Sequence, residues 1–515
     1  MKQRLTLLWG DPRVAILLLL ALATRLLLLP SRTLWYDEAY SIVVSRQPLP
    51  DIWALTAVDV HPPLYYILLH GCMQLFGDSV WVIRGLSVAA GTGAIVLAAC
   101  WLRLFASPRT VYIALSLLAL QPIAVRYSQE ARMYALLAFW LMAASLVMAL
   151  WQRRPDHRRY PVLYALVVAA ALYTHYFAFL GIASYWAYAL LTRRSGHSLW
   201  RRRTWWIANL AALALFVPWF PELYRQLHAT GGIGWIPPLT PATIPTTLWE
   251  FVWTGSAVLR HWPVLAALVP MLVAWSLWQN RRTNLPQPYA DPMAMAMLAI
   301  MPIVLAGLVS LFKPLFVTRY LSFTALPMML VIALAIDTLS RRRATLAWLL
   351  LVAIIGVQCA GLVNGYRNGQ QIDGPEGDDN GSAPLAMLVQ QQWRPGDEVV
   401  ASGDVYLSVI YYLREHPLPW LWLESTDPLP LNNGADAVLY RLGRVAWLRR
   451  YIDLPPATCG IWVFTPSNEK RAPPPLADWT PGLHRVEEGT TLDYYSRQQC
   501  AVSQDSTPTG VTEKN

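Results

Sequence analysis

Two adjacent carboxylates, Asp37 and Glu38, follow directly on the first long apolar stretch of the chain, Val14 to Pro30. A charge at a membrane boundary needs a partner or a purpose. A second polar knot, Asp59-Val-His61, lies in the same connecting segment, ahead of Pro62-Pro63. Further on, Glu130 and Arg132 sit in Tyr127-Ser-Gln-Glu-Ala-Arg-Met-Tyr134, His175 separates two apolar runs, and Lys313, Arg319 and Tyr320 precede another. Carboxylates, imidazoles and a few cations gathered at one membrane face suit a particular chemistry. A base activates a hydroxyl while cations hold an anionic phosphate leaving group.

In physical outline, a lipid-linked sugar phosphate lies with its tail in the bilayer and its head at the outer interface. Phosphate departs as a stable anion, so it needs cationic stabilisation more than a proton donor. One carboxylate base on the acceptor side then suffices, giving a single displacement with inversion at the anomeric carbon. Asp37 is the expected base, and Glu38 orients the acceptor or stabilises charge. Arg319 is the expected phosphate cation, because guanidinium grips phosphate oxygens bidentately; Lys313 is the second choice. Asp59, His61, Glu130, Arg132, His175 and Tyr320 are the expected substrate-binding groups. Plainer readings stand beside these. Asp37-Glu38 reads also as a solvated loop pair or a helix N-terminal charge, Asp59 and His61 as caps of an interfacial helix, Glu130 and Arg132 as a local ion pair. His175 reads as a packed histidine, Arg319 as an interfacial anchor, and Arg25 and Arg84 as snorkelling side chains.

The elements that must hold these groups follow from composition. Of 515 residues, 55% are hydrophobic and only 14% charged, against about a quarter charged in a soluble protein. Apolar runs recur from Val14 to Leu362, so the expected class is a polytopic α-helical membrane protein. The 25 tryptophans, many near span ends as at Trp35, Trp151, Trp205 and Trp235, suit an interfacial belt. A net charge of +10 suggests nucleic acid, but most basic residues lie between spans and topology accounts for them. The basic amino terminus with its apolar core resembles a signal peptide, yet the run continues to Leu29; an uncleaved first span is expected.

About eleven spans are expected: 14–30, 80–102, 110–126, 131–151, 160–175, 176–192, 204–220, 262–278, 293–312, 320–338 and 344–362. Arginine clusters such as Arg153-Arg154, Arg193-Arg194, Arg281-Arg282 and Arg341-Arg342-Arg343 then fall on one side with the amino terminus. By the positive-inside rule that side is cytoplasmic. Pro62 to Phe76 is apolar but shorter than the ~20 residues a span needs, and it opens with Pro-Pro. It and residues 48–58 are expected as interfacial helices in the first outer loop.

After residues 1–363, a Gly/Asn/Asp-rich linker (364–383) leads to a soluble α/β domain (384–502) outside the membrane and a disordered polar tail (503–515). That domain is expected to hold a helix at 385–393, a turn at Pro395-Gly396-Asp397, strands at Glu398–Ala401, Leu418–Leu423 and Ile461–Phe464, and a helix Tyr406–Arg414. No internal repeat is evident. Five cysteines lack metal or redox spacing. Cys459 and Cys500, both in the carboxy-terminal region, are either paired in an oxidising compartment or free.

Trp35-Tyr-Asp-Glu-Ala-Tyr-Ser41, His61-Pro-Pro-Leu-Tyr-Tyr66, Tyr127-Ser-Gln-Glu-Ala-Arg-Met-Tyr134 and Arg319-Tyr-Leu321 resemble the bacterial family-39-like glycosyltransferases. These are membrane-embedded GT-C enzymes related to protein O-mannosyltransferases and the lipid A aminoarabinose transferase. The resemblance covers about residues 10–365, and the appended soluble domain is similar in kind. It implies a polyprenyl-phosphate-sugar donor, Asp37 at the catalytic acidic position, and Glu130 or its neighbours lining the same cavity. His61 stands beside the double proline as in O-mannosyltransferases, where aminoarabinose transferases carry lysine. The acceptor, whether lipid, glycan or protein, is not fixed by it. Divalent-cation use varies in this group; with no dense carboxylate cluster beyond Asp37, Glu38 and Asp59, no obligatory metal is expected. The implied setting is a bacterial plasma membrane. Two other readings remain: a lipid-linked glycan polymerase or ligase, and a secondary transporter or flippase, which would place its charges near the bilayer midplane.

Overall fold

The computed structural model describes residues 10–228, 236–252, 291–368, 381–402, 405–422, 438, 441, 446–467, 478–487 and 489–497. The expected span 262–278, the Arg281-Arg282 cluster, the tail, most of the linker, Trp235 and Cys500 lie outside them. The chain divides into two compact units: residues 1–30 with 44–373, and residues 31–43 with 374–515.

The first unit is helical. It comprises α1 (Pro12–Leu26), α3 (Leu49–Thr56), α4 (Leu64–Phe76), α5 (Val80–Arg103), α6 (Pro108–Leu120) and α7 (Pro122–Ser128). There follow α8 (Tyr134–Arg153), α9 (Arg159–Thr174), α10 (Ala178–Leu191), α11 (Arg203–Phe216), α12 (Phe220–His228) and α13 (Thr243–Val252). The last are α14 (Asp291–Ser310), α15 (Thr318–Leu321), α16 (Ala325–Ser340) and α17 (Ala344–Asn368). Helix α2 (Tyr36–Ser45) begins in the other unit.

Among the described residues, six helical stretches are long and apolar enough to cross a membrane, or seven if the bent pair α6–α7 counts as one span. Helices α1, α9 and α10, expected as spans, run 15, 16 and 14 residues, short of the ~20 a crossing needs. The expected count of about eleven spans is therefore not matched by helices of crossing length among the described residues. Helix α4 has 13 residues, about 20 Å at 1.5 Å per residue, which agrees with its reading as a segment too short to cross. Helix α3 covers most of the second expected interfacial stretch.

Between apolar helices in lipid, close packing replaces the hydrophobic drive of water, and small residues permit it. Helix α5 packs on α8 through Gly93, where a Cβ would come within 2.9 Å of the Phe139 ring. Helices α1 and α16 pack on α6, and α14 packs on α10 and α16. At the arginine-rich ends, Arg153 pairs with the buried Asp291 at 2.6 Å, and Trp101 Nε1 donates to the same carboxylate at 2.9 Å.

The second unit is built on a six-stranded sheet in the order β3-β2-β1-β4-β6-β5. Its strands are β1 (Asp397–Ser402), β2 (Trp420–Trp422), β3 (Ala446–Leu448), β4 (Gly460–Pro466), β5 (Trp479–Glu487) and β6 (Thr490–Arg497). The first four are parallel; β6 runs antiparallel to β4, and β5 to β6. β1 and β4 are buried almost throughout, as central parallel strands require. Helices α18 (Ser382–Gln392) and α19 (Tyr406–Tyr412) flank β1 in sequence, close to the expected helices. The turn at Pro395-Gly396 carries its glycine at φ +88, a conformation that glycine adopts without strain. The β5–β6 hairpin was not expected: β5 is almost wholly exposed on an edge and contains Pro481 and Gly482, so no apolar alternation marks it.

Candidate active site

Helix α3 ends at Thr56, and the chain turns so that Asp59 N–H bonds the Thr56 carbonyl at 3.2 Å. Pro62-Pro63 then forces the next helix to begin, and Pro63 caps it with no side-chain hydrogen bond. Asp59 and His61 are thus not helix caps. They face each other, His61 Nδ1 lying 3.2 Å from Asp59 Oδ2, both almost fully buried. Burial alone would raise the Asp59 carboxyl, but the His61 hydrogen bond and charge, the Val60 backbone amide and the nearby Arg132 hold it below its ordinary value. Asp59 is therefore a buried carboxylate in its charged form.

His175 sits where α9 stops and the backbone becomes extended (φ -162, ψ 139) before α10. Its Nδ1 accepts the Phe177 N–H at 3.0 Å, so the ring hydrogen resides on Nε2 in the neutral tautomer. That Nε2 is buried with no hydrogen-bond partner among the described residues. The imidazole belongs to a ring cluster: His61 lies 5.6 Å away, Tyr320 4.9 Å and Tyr134 6.2 Å between centroids. Arg132 and Arg319 lie within electrostatic reach of it. Arg319 and Tyr320 come from the one-turn helix α15, with the guanidinium 5.7 Å from the Tyr320 ring centroid.

Helix α7 and the connection from it to α8 supply Arg126, Glu130 and Arg132, all buried. Arg126 Nε donates to Glu130 Oε1 across one helical turn. Arg132, 2% exposed, reaches the Tyr66 hydroxyl at 3.5 Å, and its carbonyl accepts from Ser87 Oγ at 3.2 Å. The structure therefore brings Asp59, His61, Arg132, His175, Arg319 and Tyr320 into one neighbourhood, from four stretches of sequence. Lys313 does not join it; it is exposed just beyond α14, and among the described residues its side chain makes no hydrogen bond or ion pair.

Asp37 and Glu38 occupy the first turn of α2, where carboxylates complement the helix dipole. Ser41 Oγ donates to the Asp37 carbonyl at 2.9 Å. Glu38 is 0% exposed, which excludes a solvated loop residue. The segment ahead of α2 is fixed within the second unit, Leu34 N–H donating to the Tyr412 hydroxyl at 2.6 Å.

Arg25 and Arg84 are not snorkelling. They are 0% and 2% exposed, and Arg84 Nη1 donates to the Leu29 carbonyl at 2.6 Å. A guanidinium in a packed helical interior bonds whatever carbonyls the helix ends leave orphaned. Gln129 of the α7–α8 segment makes such a bond too, its amide donating to the Leu27 carbonyl at 2.8 Å. Among the described residues no three Asp, Glu, His or Cys side chains gather as a metal site would require.

With this geometry in view, comparison with known proteins falls on the same ground. Residues 60–221 match the family model described as dolichyl-phosphate-mannose-protein mannosyltransferase. The fold matches ArnT from Cupriavidus metallidurans in the apo state, with a TM-score of 0.62 at 15% identity, covering 94% of this chain and 97% of that one. ArnT bound to undecaprenyl phosphate matches equally well, at 0.62 and 14% identity over 94% and 98%. The archaeal oligosaccharyltransferase AglB from Archaeoglobus fulgidus, in complex with an inhibitory peptide and a dolichol-phosphate, matches at 0.52 and 12% identity over 89% and 69%. No curated protein matches by sequence. The chain has the GT-C fold of a membrane protein, ArnT-like in its helical part and with a carboxy-terminal sheet domain.

Proposed function

We propose that this chain is an inverting glycosyltransferase that moves a sugar from a polyprenyl-phosphate donor to a hydroxyl of a lipid, glycan or protein acceptor. Its setting is the outer face of a bacterial plasma membrane, with the amino terminus cytoplasmic and the sheet domain outside. The observation that carries the reading is the cluster of Asp59, His61, Arg132 and His175, all buried, with the half-buried Arg319 and Tyr320, at the ends of apolar helices. Cations and neutral donors there suit an anion delivered from the lipid side. ArnT, whose fold this chain shares, has been crystallised with undecaprenyl phosphate, which supports the same donor class. Cys459 is disulfide-bonded, and disulfides persist in oxidising compartments, which supports an extracytoplasmic sheet domain.

In the reaction the acceptor oxygen attacks the anomeric carbon as the bond from that carbon to the phosphate oxygen breaks. Asp37 takes the acceptor proton, and the polyprenyl phosphate leaves with the bonding pair. Glu38 orients the acceptor. Arg319 and Arg132 hold the departing phosphate oxygens, and His175 supplies its free Nε2–H to the same anion or a sugar oxygen. Asp59 fixes the orientation of His61 and keeps local charge balanced. No step requires a metal.

The experiment uses purified protein in nanodiscs with labelled undecaprenyl-phosphate sugars and extracted cell-envelope acceptors. Label should move to an acceptor, and Asp37→Asn should abolish transfer while the protein still melts as the parent does. Full transfer by Asp37→Asn contradicts the mechanism. The similarity to AglB favours, as a second reading, transfer of a longer lipid-linked glycan; a donor panel that includes diphosphate-linked oligosaccharides separates the two.

A further inference from the structure

Pro122 interrupts the outer end of α6, and the two halves of the broken element, α6 and α7, meet at 59°. A proline has no N–H to return to the carbonyl four residues back, which here belongs to Leu118. The residue before it, Gln121, is driven to extended backbone (φ -67, ψ 110), and the hydrogen-bond ladder stops. In an apolar interior those carbonyls need donors from elsewhere.

Two residues of α1 provide them. Arg25 Nη2 donates to the Leu118 carbonyl at 3.3 Å, and Thr24 Oγ1 donates to the Ala119 carbonyl at 2.9 Å. Arg25 Nη1 also bonds Thr24 Oγ1 at 3.4 Å and the Ala21 carbonyl at 2.9 Å. Helix α1 has the same difficulty at its own end, where Leu27 is extended and Leu28 has φ +54. The debt is returned from beyond the break: Gln129 Nε2 bonds the carbonyls of Leu27 and Arg25 at 2.8 and 3.1 Å. Tyr366 from α17 takes the Thr24 carbonyl at 2.5 Å. Gly91 of α5 leaves room for the exchange, since a Cβ there would lie 2.1 Å from Ser128 Oγ and 3.5 Å from Arg25 Nε. Among the described residues Arg25 has no carboxylate partner, so its contacts are those of a carbonyl clamp.

We propose that Arg25 is a positioning residue: it replaces the hydrogen bond Pro122 cannot make and locks the α6–α7 bend. That bend sets where the second outer connection, with Glu130 and Arg132, begins. It also ties this connection to the exit of α1. Arg25 thereby acts on the candidate site through backbone geometry, without touching substrate.

The test exploits the proline. Arg25→Met should lower the melting temperature of the detergent-purified protein by about 5–10 °C, or prevent folding. Adding Pro122→Ala restores an N–H opposite Leu118, so the double variant should regain most of that loss. A double variant that melts as low as Arg25→Met, or folds as poorly, overturns the proposal, as does an Arg25→Met protein with the parent's melting temperature. A second readout is the rise in melting temperature caused by undecaprenyl phosphate. The double variant, with its ladder repaired and its bend relaxed, should need at least about tenfold more of this lipid for the same rise. A parental response in the double variant overturns the positioning role. This readout rests on the donor reading above, whereas the melting recovery does not. If the parent itself shows no rise, the donor reading fails and the melting recovery alone decides for or against the clamp.

Discussion

The two ends of the helical unit treat arginine in opposite ways. In the connections after α8, α10 and α16, Arg154, Arg158, Arg159, Arg193, Arg194 and Arg341 to Arg343 are exposed. On the other side, Arg84 near the start of α5, Arg126 in α7 and Arg132 in the connection after it are buried, and so is Arg25 in the last turn of α1. The first set can be counted, and its asymmetry is a statement about orientation. The second set is held by specific acceptors: the carbonyls of Leu29 and Leu118, the carboxylate of Glu130 and the hydroxyl of Tyr66. A charge in water orients the chain; a charge withdrawn from water builds a site, because its desolvation must be offset by placed partners. The Arg153–Asp291 pair is an exception at the arginine-rich end, and it is neutralised within itself.

Substitutions at the two ends should therefore differ sharply. The largest expected effect is on turnover: Asp37→Asn removes the proposed base and should lower kcat by at least about 10²–10⁴ without lowering the melting temperature. Next, Arg126→Leu leaves the Glu130 carboxylate without its guanidinium in a buried setting. It should cost about 3–5 kcal/mol of stability, read by thermal melting. Melting like the parent's would mean that the buried pair is solvated and the comparison mistaken.

Acid provides a third test. The Asp59 carboxyl is held below its ordinary value of 3.8, so its contribution is fully present above that value. It is lost only as pH falls through the lower value of the folded protein. Asp59→Asn should abolish that part of the acid destabilisation below about pH 4 and leave the melting curve between pH 5 and 8 unchanged in slope. A loss centred at pH 5 or higher would contradict a carboxylate stabilised by His61 and Arg132. The smallest effect belongs to the exposed set: Arg193→Gln with Arg194→Gln should change stability by no more than about 0.5 kcal/mol. A larger loss would erase the distinction between the two ends.

Much of the candidate cluster was legible because its residues travel in short motifs. Asp59 and His61 are two apart with the double proline behind them, and their direct contact follows from that local geometry. The gathering of His175 with Tyr320 needed only a topology that puts both connections on one side. Arg25 was misread as snorkelling because its acceptor lies 93 residues away, and no local pattern announces a carbonyl orphaned by a distant proline. Lys313 and Arg319 look alike in sequence as cations ahead of a span, yet only the short α15 turn carries Arg319 into the cluster. In the second unit, β1 and β4 were expected from their apolar runs. The edge strand β5 was not, since one partner and an exposed surface demand little of its side chains. Grouping of residues 31–43 with the carboxy-terminal unit was equally hidden, because the contact from Leu34 to Tyr412 spans 378 residues.

The central claim is transfer by a single displacement, with one carboxylate base and a cationic cradle for the departing lipid phosphate. The most direct measurement is the anomeric configuration of the product, read by NMR after turnover of one labelled undecaprenyl-phosphate sugar of known configuration. The account predicts a glycoside of the opposite configuration at the anomeric carbon. A product that retains the donor's configuration, or release of sugar with no glycoside formed, would contradict it.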